Sequence, residues 1–271
     1  MGYDTGSSGL NQTLTEHWDG SAWTVVPSPG VAGLGNVLNG VRAVSAANVW
    51  AVGASFAPGV EQTLILHWDG HTWQQVTSPN PGTRAGLLGV RTVSATDAWA
   101  VGNFYNGNAG QPLILHWNGQ KWAMQTIPNP GGTAHDTSLN AIAANGASGK
   151  AWAVGFYNNG TSDKTLILAW TGTKWAQQPS PTPGNGAFLD GAAATAAGNA
   201  WAVGSTNNGT TGTSVILHWN GTAWAPMTGP DPGPETGLFA VAASSASNAW
   251  AVGRFVDPGS DRDQNLAIHC C

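Results

Sequence analysis

The sequence has little charge, only two cysteines and no long apolar run, and each shortage excludes a class of protein. Only 8% of the 271 residues are charged and the formal net charge is -5. No basic stripe is therefore available for a phosphate backbone, and nucleic acid is not an expected partner. No run of about eighteen apolar residues occurs, so no membrane insertion is expected. The adjacent Cys270 and Cys271 cannot easily bridge each other, which favours free thiols or an intermolecular contact.

The residues that are abundant indicate a chain of short strands. Gly (38), Pro (16) and Trp (15) are plentiful, a composition that suits many strands joined by tight turns and disfavours long surface helices. The N-terminal residues lack the charged and apolar regions of a signal peptide. We therefore expect an all-β protein with almost no helix.

The sequence is an internal repeat. The segment Trp-Ala-Val-Gly recurs at spacings of 49, 53, 49 and 49 residues, its tryptophans being Trp50, Trp99, Trp152, Trp201 and Trp250. A second signature, Trp-[Asp/Asn/Thr]-Gly-x-x-Trp, follows the same period, with the pairs Trp18/Trp23, Trp68/Trp73, Trp117/Trp122, Trp170/Trp175 and Trp219/Trp224. Together the two signatures account for all 15 tryptophans. Identical placement in every repeat predicts that the tryptophans pack between sheets, although exposed ones could stack on sugar rings.

Each repeat contains four strand-like runs. In the second copy these are Leu88–Ser94, Ala98–Gly102, Pro112–Trp117 and Lys121–Gln125. Asn118-Gly119 joins the last two, and Asn-Gly or Asp-Gly supplies the positive φ of a tight hairpin turn. Four antiparallel strands in a period of about fifty residues are typical of a propeller blade.

The two signatures resemble those of uncharacterised tandem-repeat proteins of bacteria, as in Trp99-Ala100-Val101-Gly102 and His116-Trp117-Asn118-Gly119. The architecture is similar to that of five-bladed tachylectin-type lectins and of WD and kelch propellers. The resemblance covers essentially the whole chain and implies one domain, residues 1–271, folded as a five-bladed β-propeller of four-stranded antiparallel blades. The comparison with lectins is one of fold alone.

Closure of the ring is expected to use strands from both termini. Thr13–Val26 supplies a third and a fourth strand, while Leu238–Arg254 supplies a first and a second, so the closing blade combines residues 1–27 with residues 236–271. Asn265–Cys270 repeats the third-strand pattern once more and is surplus in that scheme. This strand could compete with the N-terminal one, pair with another molecule as in domain swapping, or mark a truncated sixth unit.

Histidines recur on the third strand and could suggest a metal ring. His17, His67, His116 and His218 share this position, but the third repeat has Ala169 there, and different blades hold these residues far apart. In WD propellers a similar histidine joins a Ser, an Asp and a Trp in a network within each blade. Ser45, Ser94, Asp97, Trp99 and His116 offer comparable parts, so we predict a structural role and no metal site.

The repeats differ most in the loops after the second strand, where binding residues are expected. Aromatic rings beside amides suit an uncharged, polyhydroxylated ligand, whereas a simpler interpretation is that Asn and Gly shape turns and the aromatics cover blade edges. The candidate ligand-binding residues are Phe104, Tyr105, Asn106, Phe156, Tyr157, Asn158, Asn207 and Asn208.

Proline-rich runs recur at a fixed phase after the fourth strand, as at Pro79–Pro81 and Pro179–Pro183. They could be ligands for proline-binding domains. The more economical interpretation is a stiff connector, because proline cannot donate to a further ladder hydrogen bond.

We therefore expect a multivalent binding module, carbohydrate-binding and lectin-like, whose repeated sites raise avidity for a glycan or cell-surface polymer. The alternatives are a protein-interaction scaffold without a small-molecule ligand, or a repeat protein from recent duplication or design without an evolved ligand. No catalytic constellation or cofactor motif is recognisable, and Asp4-Thr5-Gly6 is a single copy of a string that aspartic proteases need twice. We expect no enzyme and no cofactor, an extracellular or cell-surface location, and an oligomer if the surplus strand pairs with another molecule.

Overall fold

The computed structural model describes residues 1–6, 9–206 and 211–270, which consist of strands and their connections. The chain divides into two compact units, Met1–Gln125 and Thr126–Cys271. Over the described residues, no helix has the length and apolar character needed to cross a membrane.

The first unit contains eleven strands. They are β1 (Gly2–Thr5), β2 (Asn11–Trp18), β3 (Trp23–Val26), β4 (Gly35–Ser45), β5 (Asn48–Ala57), β6 (Val60–Trp68), β7 (Trp73–Gln75), β8 (Arg84–Ser94), β9 (Asp97–Tyr105), β10 (Gly110–Trp117) and β11 (Trp122–Met124). Strands β1–β2–β3 form one antiparallel sheet. The next two groups of four, β4–β7 and β8–β11, are antiparallel within themselves and are joined by one parallel pairing, Glu61 with Arg84.

The second unit also contains eleven strands, but its three-stranded sheet comes last. Its strands are β12 (Thr137–Asn145), β13 (Lys150–Asn158), β14 (Asp163–Trp170), β15 (Trp175–Gln178), β16 (Ala187–Ala196), β17 (Asn199–Thr206), β18 (Ser214–Trp219), β19 (Trp224–Met227), β20 (Gly237–Ser245), β21 (Asn248–Asp257) and β22 (Arg262–Cys270). Strands β12–β15 and β16–β19 form four-stranded antiparallel sheets, and β20–β22 form a three-stranded one. The four predicted strands are thus confirmed in the four repeats that span β4–β19, whereas the last repeat has three. Strands β8, β9 and β10 are longer than predicted, and β11 is shorter.

The turns between third and fourth strands are four-residue loops, as between Trp117 and Trp122, and only the glycine of each Asp-Gly or Asn-Gly pair takes the predicted positive φ. Gly20, Gly70 and Gly119 have φ values of 105°, 99° and 90°. In the first of these turns the Asp19 carboxylate accepts hydrogen bonds from the backbone N–H groups of Ser21 and Ala22. These bonds favour the ionised form and lower the pKa of Asp19 to about 2.

The glycine of Trp-Ala-Val-Gly is required by a close backbone approach that the sequence does not reveal. Every first strand carries a β-bulge, and in the third repeat the register shifts between Leu139 and Ala141. Gly155 lies opposite this bulge, paired with Leu139. A Cβ at Gly155 would lie 2.0 Å from the carbonyl oxygen of Ser138, so no larger residue fits without a backbone shift.

The tryptophans of inner sheets pack between sheets, as predicted. Trp50 of β5 lies 4.8 Å from Trp117 and 5.1 Å from Trp122, ring centroid to ring centroid, both in the next sheet. In the second unit, Trp152 and Trp224 of successive sheets belong to one buried cluster. In each unit, buried indoles therefore lie between the two four-stranded groups.

The terminal sheets differ from the predicted closing blade. The third-strand place beside β21, which we expected the N-terminal segment to fill, is taken by β22 in the usual register, with Gly253 opposite Leu266. In the first unit β2 has its own neighbour, β1, and Gly2 lies opposite Leu14 as Gly53 lies opposite Leu64. Since each terminal segment completes the repeat register locally, the prediction of one sheet built from both termini is wrong for the described residues.

Candidate functional site

The residues predicted in the second repeat do not form one site. The Phe104 ring packs against the buried cluster that contains Trp50 and Leu87. The Tyr105 ring lies beneath the Arg84 guanidinium, 4.6 Å from its carbon to the ring centroid. Asn106 is exposed in the following bend. This loop therefore uses its aromatic residues for packing and for a cation–π contact.

The candidate residues predicted in the third repeat also have different roles. Phe156 packs edge-on against Phe188, with ring centroids 4.8 Å apart. The Asn158 side chain shapes the turn, since Nδ2 donates to Asp163 Oδ1 at 2.9 Å and Oδ1 accepts from the Gly160 N–H at 2.8 Å. Tyr157 is the exception, because it is half-buried and lines an open cleft. Phe156 therefore packs against a neighbouring ring and Asn158 shapes a turn, as in the interpretation of these loops that involves no ligand.

The two Phe-Tyr-Asn strings are not structurally equivalent, contrary to what their sequences suggest. Phe104 lies opposite Gln111 and is two residues after Gly102, whereas Phe156 lies opposite Thr165 and directly follows Gly155. A shift of one residue turns every side chain to the other face of a strand. The structural counterpart of Tyr157 is therefore Phe104. The predicted Asn207 and Asn208 lie outside the described residues.

The cleft beside Tyr157 has a volume of about 360 Å³ and a mostly polar lining. Its walls come from β13, β14, β15 and the connector that follows, and they comprise Tyr157, Lys164, Thr165, Gln177, Gln178, Pro179, Ser180 and Thr182. No carboxylate lines it, and the Lys164 ammonium is its one charged group. An aromatic ring with hydroxyl and amide groups can stack on a sugar ring and hydrogen-bond its hydroxyls.

Hydrogen bonds hold the floor of this cleft. The buried Thr165 hydroxyl lies 2.8 Å from the Ser180 hydroxyl and 3.0 Å from both the Pro181 carbonyl and the Thr182 hydroxyl. The same clip fastens the connectors of earlier repeats, with Thr63 on Ser78 and Thr13 on Ser28. The proline-rich runs are thus connectors fixed to the third strand, which agrees with their predicted structural role.

A second cleft adjoins the first at the same connector. It has a volume of about 320 Å³, shares Gln178, Pro179 and Ser180 with the Tyr157 cleft, and is lined on its other side by Trp219 and Trp224. Gln178 Oε1 accepts a hydrogen bond from Trp224 Nε1 at 2.9 Å. The Gln178–Ser180 connector therefore lies between two clefts. Tyr157 lines one of them, and Trp219 lines the other.

The first unit contains a cleft at the corresponding place but without the aromatic ring. It has a volume of about 390 Å³ and includes Gln12, Thr13 and Ser28, the counterparts of Lys164, Thr165 and Ser180. Asp4 occupies the register position of Tyr157 there, opposite Gln12. One sequence signal could have indicated these clefts: a Thr on the third strand precedes a Ser in the connector by 15 residues, as Thr165 precedes Ser180. The prediction considered only the loops after the second strand and overlooked this signal.

Three of the four recurring histidines, His67, His116 and His218, have the structural role that we predicted. The imidazoles of His67, His116 and His218 stack on Trp50, Trp99 and Trp201, with ring centroids 4.3, 4.0 and 4.1 Å apart. Each Nε2 also contacts a side-chain oxygen of the first residue of the neighbouring second strand. These residues are Asn48, Asp97 and Asn199 for His67, His116 and His218 respectively. Ser94 is not part of this network, since its hydroxyl contacts Thr96 instead. Burial lowers the pKa of His67 and of His218, which favours neutral imidazoles.

Comparisons with known proteins bear on the fold alone. No protein-family model and no curated protein matches the chain. A structure of YCF48 bound to a D1 peptide is 17% identical, with a TM-score of 0.51 over 91% of this chain and 72% of that one. A PL25 ulvan lyase is 9% identical, with a TM-score of 0.57 over 93% and 68%. A protein of unknown function from Dyadobacter fermentans is 12% identical, with a TM-score of 0.58 over 94% and 82%.

These likenesses and the repeated tryptophan-bearing strands show a repeat β-propeller fold. Similar folds serve for binding a peptide and for acting on a polysaccharide. Those activities belong to the proteins named, and at these identities the likeness to this chain is one of fold alone.

Proposed function

We propose that this chain is a carbohydrate-binding module whose principal site is the cleft beside Tyr157. The observation that carries the proposal is the lining of that cleft, which combines one aromatic ring with three hydroxyl side chains and two amides and contains no carboxylate. A neutral oligosaccharide suits this lining because its ring faces are apolar and its edges donate and accept hydrogen bonds.

The neighbouring cleft extends the site to a ligand of more than one sugar ring. Trp219 lines it across the Gln178–Ser180 connector. The Trp219 indole N–H donates to the Ala197 carbonyl at 3.1 Å, which fixes the orientation of the ring. Fixed aromatic surfaces lose little conformational entropy on binding.

Repetition supports a multivalent mode of action. A comparable cleft beside Thr13 in the first unit has the same Thr–Ser clip but no tyrosine. Weak binding at several such places raises avidity for a repetitive polymer without any new contact. We place the protein at the cell surface or outside the cell, where such polymers are found, and we assign it no catalytic activity.

The test is a glycan-array screen of the purified chain, followed by calorimetric titration of each hit with Tyr157→Ala and Tyr105→Ala variants. Tyr157→Ala should weaken binding by roughly five- to thirteenfold, because one stacked ring contributes roughly 1–1.5 kcal/mol. Tyr105→Ala is the matched control, since Tyr105 lies under Arg84 and outside the cleft. Equal loss in both variants, or no glycan bound at all, would replace this proposal with a protein-interaction scaffold.

A further inference from the structure

The cleft beside Tyr157 contains a charged residue at a position where the other repeats are neutral. Lys164 on β14 lies directly opposite Tyr157 on β13, so the two side chains leave the same face of the sheet as neighbours. The register counterparts of Lys164 are Gln12, Gln62, Gln111 and Gln264, opposite Asp4, Ser55, Phe104 and Phe255, and Thr213, opposite Thr206. The fold therefore does not require a charge at this position, and the charge is specific to this cleft.

The positive charge of Lys164 is not neutralised by a neighbouring carboxylate. None of the ion pairs among the described residues includes Lys164. The adjacent carboxylate, Asp163, leaves the opposite face of β14, because successive side chains of a strand alternate. Its Oδ1 accepts a hydrogen bond from Asn158 Nδ2 at 2.9 Å. The half-buried Lys164 ammonium can therefore bind an anionic group in the cleft.

The chain as a whole does not attract anions. Its formal net charge is -5, so its long-range field opposes the approach of a negatively charged ligand. A preference for such a ligand at this cleft must come from a local charge. The lysine ammonium is a compact charge with three hydrogen-bond donors on a flexible stem, which binds an oxyanion without requiring one fixed geometry.

We propose that the cleft beside Tyr157 takes an oligosaccharide that is neutral except for one acidic group, and that the Lys164 ammonium binds this group. The acidic group is the carboxylate of a uronic acid or a sulfate ester. This inference rests on the proposed function and names the ligand class of the same site. The ring that carries the acidic group stacks on Tyr157, the cross-strand neighbour of Lys164. The Gln177 amide and the Thr182 hydroxyl also line the cleft and can hydrogen-bond the sugar hydroxyls.

The experiment uses matched sets of disaccharides in calorimetric titrations. Cellobiose, lactose and mannobiose are each compared with two derivatives, in which the primary hydroxyl of the terminal ring is oxidised to a carboxylate or carries a sulfate ester. In at least one set we expect an acidic form to bind the unsubstituted chain more tightly than the neutral form, by on the order of fivefold. The comparison of carboxylate with sulfate identifies which acidic group the cleft prefers.

Lys164→Gln tests the residue, because it restores the side chain that four other repeats have at this position. It should remove the preference for the acidic form and leave the affinity for the neutral form unchanged. Lys174→Gln is the matched control, since it removes the same charge from an exposed turn of the same sheet, outside the cleft. Added salt should reduce the preference in the unsubstituted chain and have little effect in Lys164→Gln.

The possible failures of the two proposals are distinguishable. The inference alone is overturned if the neutral form binds as tightly as both acidic forms in every set that binds. It is also overturned if Lys174→Gln reduces the preference as much as Lys164→Gln does. If no disaccharide binds in any form, the inference and the carbohydrate-binding function are both overturned.

Discussion

The backbone carbonyl of Ser138 occupies the space that a side chain at Gly155 would need, with an added Cβ lying 2.0 Å from that oxygen. The same approach recurs in the other complete repeats, at 1.9 Å for Gly53 and 2.0 Å for Gly102. This close approach explains why the last residue of Trp-Ala-Val-Gly is glycine, because the bulge brings the backbone of the first strand against the second strand at this point.

Substitution of this glycine should destabilise the second unit strongly. Gly155→Ala must displace backbone atoms, and we expect a loss on the order of 1–3 kcal/mol in the free energy of unfolding. Gly2→Ala is the matched control, because Gly2 has the same register position but an added Cβ meets nothing within 4 Å. Chemical denaturation measures both variants. Equal stabilities of the two variants would contradict the assigned role of the bulge.

Much of the fold could be predicted from the sequence because its signals are local and repeated. The Asn118-Gly119 turn, the β10 strand and the packing of Trp122 each follow from residue types within a few positions. The bulge at Leu139–Ala141 could not be predicted, since it depends on backbone register between strands. The closure failed for a related reason: the third-strand pattern fits both Gln12–Trp18 and Asn265–Cys270, and pattern alone does not choose between them.

The site was predicted less well. Phe104 and Phe156 share a three-residue string, but their distances from the preceding glycine differ by one residue, so their rings face opposite sides of their strands. The residues that line the cleft beside Tyr157 come from three strands and a connector, and only Tyr157 had been chosen. The loop sequence thus predicted one lining residue of the cleft, Tyr157. That Thr165 and Gln178 also line the cleft follows only from the pairing of the strands in the folded sheet.

Equivalent tryptophans should differ widely in their contribution to stability. Trp122→Ala removes a ring that is 96% covered and should cost about 3–5 kcal/mol. Trp23→Ala at the corresponding place of the N-terminal sheet should cost less than about 1 kcal/mol in dilute solution, because two-thirds of that ring is already exposed. Thermal denaturation followed by circular dichroism compares them. Similar costs would mean that indole burial between sheets is not what stabilises the first unit.

Asp190 should destabilise the fold at neutral pH. Burial raises its pKa above the ordinary 3.8, against the opposing effect of a hydrogen bond from Asn140 Nδ2 at 3.0 Å. A raised folded-state pKa favours the protonated form, so stability is greatest below the unfolded pKa and is lost as pH rises through the folded one. Asp190→Asn keeps an oxygen acceptor without the charge. It should raise the melting temperature at pH 7 and have a smaller effect near pH 3.

Asp257 provides the control of opposite sign. Hydrogen bonds from the Ser260 hydroxyl and N–H and from the Gly259 N–H lower the pKa of its carboxyl. Its contribution is therefore present above the unfolded pKa and is lost as pH falls. Asp257→Asn should lower the melting temperature at pH 7, with the difference shrinking in acid. Two variants that shift in the same direction at pH 7 would refute the assignment for one of the two residues.

The Thr165 clip should fix the connector and the cleft together. Thr165→Val removes the hydroxyl that contacts Ser180, Pro181 and Thr182, and it leaves the Pro181 carbonyl without that donor. We expect a loss of about 1–3 kcal/mol in stability and faster hydrogen exchange at the backbone amides of Gln178, Ser180 and Thr182. Thr173→Val, in an exposed turn of the same sheet where the hydroxyl makes one 3.4 Å contact, should change neither. If connector exchange is unchanged in Thr165→Val, proline stiffness alone holds the connector, and the floor of the proposed glycan site does not depend on the clip.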